Sequence, residues 1–369
     1  MSHIQTEIVA GVGLITLNRP QALNALTQQM IVSLTQVLSD WVENPEVEIV
    51  AIRGNSKQGP FGTFCAGGDI RFLHDAAIAG DSALEAFFTA EYRLNHFIYN
   101  YPKPYIAFMD GVIMGGGMGL AQGADLRIVS PGTKMAMPET NIGLFPDVGG
   151  GYFLSRCPGS SGEYLALTGQ MLSGEDALAV GLADGLAAAE AMPDLWNNLI
   201  GNPQQRPMER LEKLKAQLTR TAETPQWLDR QIDAIFSLPT LMGIIQALEN
   251  ADNQLATKTL HCLRQRSPLM LHVTLEQIRR GRQLSIADEL RMERTIVQHC
   301  FNPQHLKRSG NNCETVEGIR ALVVDKDRNP QWNPSRIEDV TAEMVKPFFD
   351  NPWPQVQHPL ADLNQSSIK

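Results

Sequence analysis

Two places where a short apolar run ends in clustered glycine constrain this chain most. One is Phe64-Cys65-Ala66-Gly67-Gly68-Asp69-Ile70. The other begins at the strand-like run Tyr105–Met109, turns at Asp110-Gly111 and reaches Gly115-Gly116-Gly117. Glycine after a strand and at a helix start lets backbone approach backbone and leaves N–H groups free to face an anion. Such junctions belong to a strand–turn–helix rhythm, here repeating about every 45 residues. The fold class that follows is α/β, with a parallel or mixed sheet. Each cluster alone is compatible with tight helix–strand packing. Brought together, one N–H from each would make a two-donor hole for a developing oxyanion.

The flanking segments fit that rhythm. Glu7 to Asn18 predicts two strands around a Gly11–Gly13 turn. Thr27 can cap a helix running to about Glu43, with Ile31, Leu34, Val37, Leu38 and Trp41 as its stripe. Val47 to Arg53 predicts a buried strand, Asp81 to Tyr101 a helix, and Leu126 to Val129 and Lys134 to Pro138 two more strands. Glu139 to Phe145 predicts a loop, Val148 to Cys157 a helix, and Ser173 a cap for another. From Asp194 onward the pattern is helical and more polar: Glu209–Thr221, Gln226–Phe236, Leu241–Gln254, Leu269–Arg280 and Ile286–Cys300. Linkers are expected at Asn202–Pro207 and Ala222–Pro225. A proline-bearing tail laid over the surface is expected from Val324 to Lys369. The expected organisation is a core over 1–193 and a helical C-terminal region over 194–369.

Composition narrows function by exclusion. The net charge of -9, with no long basic run, argues against nucleic acid as a partner. No apolar run approaches the eighteen or so residues that span a bilayer. The N-terminal MSHIQTEIVAGVG has neither the apolar core of a signal peptide nor the Arg- and Ser-rich character of a transit peptide, so the expected compartment is cytoplasmic. Five cysteines without C-x-x-C spacing suit a reduced protein. His74, His96, His261, His272, His299 and His305 have no metal-ligand spacing, and no metal or cofactor is called for. Neither a Walker A loop nor a Gly-x-Ser-x-Gly elbow is present.

Three acids stand out. Glu91 falls on the apolar face of its helix, beside Phe87, Phe88 and Leu94, where a carboxylate needs a partner or a task. Arg93 or Lys103 would be the structural partner. Glu139 and Asp147 bracket the apolar loop Ile142–Pro146. Burial would raise the Glu139 pKa, while a helix N-terminus would favour ionised Asp147. Opposed environments suit an acid/base or nucleophile/acid pair. The bland alternatives are a loop residue and a helix cap. Cys65 reads either as a nucleophile or as a small core residue.

Taken together, LNRPQALNAL (17–26), FCAGGDI, DGVIMGGGMGLA and MAMPETNIGLFPDVGGGYFLSRCPG resemble the crotonase (enoyl-CoA hydratase/isomerase) superfamily. EYRLN at Glu91, SPLMLHVTLEQIRRG (267–281) and GIRALVVDKDRNPQWNP (318–334) resemble its 3-hydroxyisobutyryl-CoA hydrolase branch. The resemblance implies a crotonase-like ββα superhelix core that binds acyl-CoA, with C-terminal helices covering the active site or an interface, and a possible homo-oligomer. It implies a thioester hydrolase in which Gly68 and Gly116 N–H groups hold the thioester oxygen. Glu139 attacks the carbonyl carbon or activates water, Asp147 serves the 3-hydroxyl or the leaving thiolate, and Glu91 positions the acyl group. Ala66, Gly67, Asp69, Ile70 and Gly115 are implied in substrate binding, with Arg19, Arg53 or Lys57 near the CoA phosphates. Hydratases of the superfamily carry a second glutamate where this chain has Gly119, and a glycine where it has Asp147. The missing acid at 119 disfavours one competing expectation, a hydratase/isomerase using Glu139 alone; the presence of Gly68, Gly116, Glu91, Glu139 and Asp147 disfavours the other, a non-catalytic scaffold.

Overall fold

The chain begins with a hairpin, β1 (Ile4–Val9) and β2 (Val12–Leu17), joined antiparallel through Ala10 and Gly11, both at positive φ. Two left-handed residues match the twist of a two-residue hairpin turn. Helix α1 (Gln28–Glu43) starts where Thr27 Oγ1 accepts the Met30 N–H, and buries Ile31, Leu34, Leu38 and Trp41. Then follow β3 (Ile49–Ser56), the two-residue β4 (Gly59–Pro60), β5 (Thr63–Cys65), α2 (Ile70–Ala79) and α3 (Ala83–Tyr99). Next come β6 (Tyr105–Met109), β7 (Val112–Met114), α4 (Gly116–Ala121), β8 (Leu126–Val129) and β9 (Lys134–Ala136). A 3-10 turn over Glu139–Ile142 leads to α5 (Gly150–Leu154) and α6 (Ser161–Thr168). They are followed by α7 (Gly174–Ala179), β10 (Gly185–Leu186), α8 (Met192–Ile200) and α9 (Pro207–Lys215). The rest is helical: α10 (Arg230–Phe236), α11 (Leu241–Asn250), α12 (Gln254–Leu263), α13 (Pro268–Gly281), α14 (Ile286–Phe301), α15 (Glu314–Ile319) and α16 (Ala342–Val345). This computed structural model describes residues 2–201, 203–225, 227–228, 230–353 and 357–364.

The ββα rhythm is visible in how strands are shared. A seven-stranded sheet has the order β1-β2-β3-β6-β8-β10, with β4 paired to β3. A three-stranded sheet has the order β5-β7-β9. Each repeat gives one strand to each sheet: β3 and β5, β6 and β7, β8 and β9. Apart from the β1–β2 hairpin and the β3–β4 pair, the named strands pair in parallel.

Two compact units are each built from three separated segments. The first comprises Met1–Gly68, Leu94–Ala136 and Met171–Pro225, and the second Asp69–Arg93, Met137–Gln170 and Gln226–Lys369. The units interleave along the chain, whereas the sequence suggested a single division after residue 193. The last changeover does fall beside the expected Ala222–Pro225 linker, which carries no helix or strand.

In the first unit, Val12, Leu14, Ile49, Ala51, Ile106, Phe108, Leu126 and Ile128 present one sheet face. Leu195, Trp196 and Leu199 of α8 and Leu211 and Leu214 of α9 cover it. In the second unit the helices pack on one another, α13 against α5 and α6, and α14 against α5 and α15.

Several elements differ from expectation. The strand β7 and the helices α6, α8, α12 and α15 were not anticipated. The 139–145 loop opens with a 3-10 turn, and α5 starts at Gly150 rather than Val148. The tail is not merely superficial, since Ile337, Phe348 and Leu360 are buried. Asn202, Gln226, Asp229 and the tail residues 354–356 and 365–369, all inside expected segments, lie outside the described residues.

Candidate active site

The first unit brings the two glycine segments together. A Cβ on Gly117 would meet the Cys65 carbonyl oxygen at 2.3 Å, and one on Gly67 would lie 3.2 Å from the Met114 carbonyl oxygen and 3.5 Å from the Gly116 nitrogen. Side chains are therefore excluded where β5 and β7 run side by side. Gly67 (φ 102) and Gly115 (φ 47) take backbone angles that a side chain would resist. Gly115 is the N-cap of α4, so the Gly116 N–H belongs to the first turn and has no acceptor within the helix. Next to this junction the Ala66 N–H donates to the Leu23 carbonyl, and Cys65 is fully buried with its thiol on the Asn24 carbonyl. Cys65 is thus the core residue of the two alternatives. Arg53 is also occupied: Nε meets Thr16 Oγ1 and the guanidinium lies over the rings of Phe61 and Trp196.

The second unit gathers the acids. Glu91 is 3% exposed, Glu139 6% and Asp147 5%. Arg93 does not pair with Glu91; it binds Asp362 and the Pro359 carbonyl. Lys103 donates to the Trp41 and Asn44 carbonyls. Glu91 Oε1 and Glu139 Oε2 are buried without a hydrogen-bond partner, which is costly for a polar atom that has no task. Asp147 is not a helix cap. Gly149 is the N-cap of α5, and the Asp147 carboxyl instead accepts the Tyr92 hydroxyl at 2.9 Å. The left-handed residues Val148 (φ 56) and Gly149 (φ 90) delay the helix start to Gly150, past the acid. Asp69 does cap its helix, accepting the Phe72 N–H in front of Arg71 at the start of α2.

Electrostatics separates the three acids. Burial pushes the Asp147 pKa up to about 6, while the Tyr92 hydroxyl and a backbone hydrogen bond hold it from rising further. The expected helix-terminus effect is outweighed by desolvation. Burial drives Glu139 well above the carboxylate range, with the charge of Asp147 and, less, of Glu91 adding to it. Glu91 rises for the same two reasons, burial and then Asp147. Asp147 is therefore the preferred anion, and its charge pushes protons onto the other two.

Sequence reasoning missed Tyr92, Gln277, Glu289 and Glu293. Glu293 Oε2 and Oε1 accept the Gly149 and Gly151 N–H groups at 2.8 and 3.2 Å, and Gln277 donates to the Pro146 carbonyl at 2.7 Å. Glu289 and Glu293 are fully buried on the apolar face of α14, so the test that singled out Glu91 would have found them. Among the described residues no group of three or more His, Cys, Asp or Glu is placed to hold a metal ion. No helix among them is long and apolar enough to cross a membrane.

The family model for enoyl-CoA hydratase/isomerase matches residues 12–349. The mitochondrial 3-hydroxyisobutyryl-CoA hydrolase of Gallus gallus is 38% identical over 92% of this chain and 86% of its own length. That of Xenopus tropicalis is 39% identical over 91% and 86%. A crystal structure described as a carnitinyl-CoA dehydratase from Mycobacterium thermoresistibile superposes with a TM-score of 0.84 at 35% identity, over 96% of this chain and 98% of that one. One described as an enoyl-CoA hydratase from Rhodobacter sphaeroides gives 0.83 at 37%, over 96% and 99%. The cytoplasmic expectation is corrected by these relatives, since the vertebrate hydrolases are mitochondrial by name; the apparent lack of a transit peptide was too weak a basis for a compartment. A sequence match spanning most of the chain, a full-length superposition and the paired glycine segments lead to one assignment: the chain belongs to the enoyl-CoA hydratase/isomerase (crotonase) superfamily, in its 3-hydroxyisobutyryl-CoA hydrolase branch.

Proposed function

We propose that this chain hydrolyses the thioester of 3-hydroxyisobutyryl-CoA, or of a similar short 3-hydroxyacyl-CoA, to the free hydroxy acid and CoA. The observation that carries the reading is the buried Glu139 carboxyl, with one oxygen unpartnered, beside an Asp147 fixed by Tyr92. The hydrolase relatives support the substrate class. With that substrate the reaction takes its place in valine breakdown.

Glu139 acts at the thioester carbon in its ionised form, so its resting proton must leave first; passed to Asp147, that proton also arms Asp147 as the acid for the thiolate. As a nucleophile it forms an anhydride and expels the CoA thiolate, and water then cleaves the anhydride. As a base it takes a proton from water, whose oxygen becomes the new carboxylate oxygen. Gly68 and Gly116 N–H groups are assigned the oxyanion, a contribution of about 3–4 kcal/mol per donor in comparable enzymes. Asp147, titrating near neutral pH, is suited to hold the 3-hydroxyl or to pass a proton to the thiolate. Glu91 borders the acyl group, and Ala66, Gly67, Asp69, Ile70 and Gly115 are assigned to CoA contacts. The chemistry requires no metal or redox group.

Thiol release from 3-hydroxyisobutyryl-CoA, without hydration of crotonyl-CoA, is the expected result. Hydration of crotonyl-CoA without thiol release from the first would overturn the reading. Single turnover in oxygen-18 water separates the two routes, since label in Glu139 arises only from an anhydride.

A further inference from the structure

The acid at the centre of the proposed reaction sits on a turn that cannot hold itself. Val148 is β-branched, yet it adopts φ 56, followed by Gly149 at φ 90. A branched side chain resists that region, so the conformation persists only where surroundings impose it. The surroundings are three side chains from α13 and α14. Glu293 accepts the Gly149 and Gly151 N–H groups through its two oxygens, at 2.8 and 3.2 Å. Gln277 holds the Pro146 carbonyl at 2.7 Å and Glu293 Oε1 at 3.2 Å through the same amide. Glu289, one helical turn before Glu293, interacts with it electrostatically and fills the space beside Gly151, where a Cβ would come within 1.8 Å of Glu289 Oε1. Residues 146, 149 and 151 are thus gripped on both sides of Asp147.

We propose that Glu293, backed by Glu289 and Gln277, is a positioning residue for the thioester reaction: it clamps the Pro146–Gly151 turn and so fixes the Asp147 carboxyl against the Tyr92 hydroxyl. The inference rests on the role given to Asp147 above. The charged and titratable groups facing the clamp are Glu289 on α14, Asp147 on the turn, Tyr92 on α3 and Arg156 after α5. The guanidinium of Arg156 is itself held by the Tyr152, Gly281 and Leu284 carbonyls. Burial raises both carboxyls, and each disfavours the charge of the other, so the neighbouring pair shares one proton and carries one charge.

Glu293→Gln keeps the shape but has one oxygen for two N–H donors, and turns an amide donor toward the other. We expect kcat for 3-hydroxyisobutyryl-CoA to fall about tenfold to a hundredfold, as for a misplaced catalytic group, with KM within about twofold. The ionisation near pH 6 should move to lower pH, because the single charge of the Glu289–Glu293 pair, which faces Asp147, is gone. A crystal structure should show Asp147 displaced from Tyr92. Parent-like kcat and pH profile would overturn the proposal, as would a lost kcat with an unmoved profile and turn, the outcome of a merely structural role. Should Glu293→Gln fail to fold, Glu289→Gln provides the test. Burial raises Glu289 to about 8, so parent kcat should decline as pH passes that value and the pair gains a second charge. The neutral glutamine should remove the decline, and a decline unchanged in midpoint would overturn the clamp. A parent that releases no thiol strikes the proposed function alone; the clamp then stands or falls on the displacement of the turn.

Discussion

Removing one oxygen atom tests the electrostatic reading. In Tyr92→Phe the ring keeps its packing against Phe88, at 6.0 Å between centroids, but the 2.9 Å hydrogen bond to Asp147 disappears. A hydrogen bond to a charged group contributes about 1.5–3 kcal/mol. One pKa unit corresponds to about 1.4 kcal/mol, so the loss should raise the Asp147 pKa by about 1–2 units. The direction is fixed because the tyrosine hydroxyl stabilises the anion and holds the value down to about 6. The pH dependence of kcat/KM for thiol release should therefore show its ionisation near pH 6 in the parent and about 1–2 units higher in the variant. Stability should follow the same sign. The variant should lose most stability at alkaline pH, where parent Asp147 is charged, and little below pH 5, where it is protonated in both proteins. A superimposable pH profile would show that Tyr92 does not set the charge of Asp147, and the ordering of the three acids would lose its basis.

Glu139→Gln should abolish thiol release while leaving CoA affinity nearly unchanged by calorimetry; near-parent turnover would remove Glu139 from the chemistry. Gly117→Ala would place a Cβ 2.3 Å from the Cys65 carbonyl oxygen, and should cost about 1–3 kcal/mol of stability by urea unfolding. Between pH 6.5 and 8.5 stability should fall. Glu139, Glu91 and Glu293 are raised well above the carboxylate range, Glu314 to about 7 and Glu289 to about 8. The native state thus binds more protons than the unfolded chain, and the slope is negative. His272, His305 and His358 are lowered and act in the opposite sense, but only below their unfolded value of about 6.5. A urea midpoint that is constant or rising over that window would contradict the raised values.

What could be read beforehand was what local chemistry dictates. Thr27, Asp69 and Ser173 cap the helices they were expected to cap, because a side-chain oxygen for an orphan N–H is a short-range matter. The glycine clusters declared a close backbone approach, and the structure supplies it at Cys65 and Gly117. The strand β7 has three residues, too few for a period to register. Helix α6 is buried on every side, so it shows no apolar stripe. Its Glu163 pairs with Arg282, over a hundred residues away in sequence. The start of α5 was misplaced because Val148 gave no sign of a left-handed turn. Tyr92 drew no attention in the sequence, because its role depends on a partner 55 residues later.

Overall similarity assigns the branch, but it does not say which residues set the reaction apart. The hydrolase relatives are 38 and 39% identical to this chain, and the two solved structures described as a dehydratase and a hydratase are 35 and 37%. A few per cent of identity carries little weight, since function lives in the site and not in the scaffold. Adding water across a double bond requires a proton to be taken from water and another delivered to carbon, and the hydratases assign two glutamates to that work. At the first of those positions this chain has Gly119, inside α4 between the buried Met118 and Leu120. A glycine moves no proton. Cleaving a thioester asks less of that position: one group acting at the carbonyl carbon, donors for the oxygen, and an exit for the thiolate. In the proposed reaction Glu139 and Asp147 would meet the first and last of these needs, as carboxyls whose environments hold their pKa values apart. The argument therefore turns on Gly119 as much as on the acids present. If the parent protein hydrated crotonyl-CoA as fast as it released thiol from the hydroxyacyl thioester, Glu139 would suffice for both steps of hydration and Gly119 would cease to discriminate.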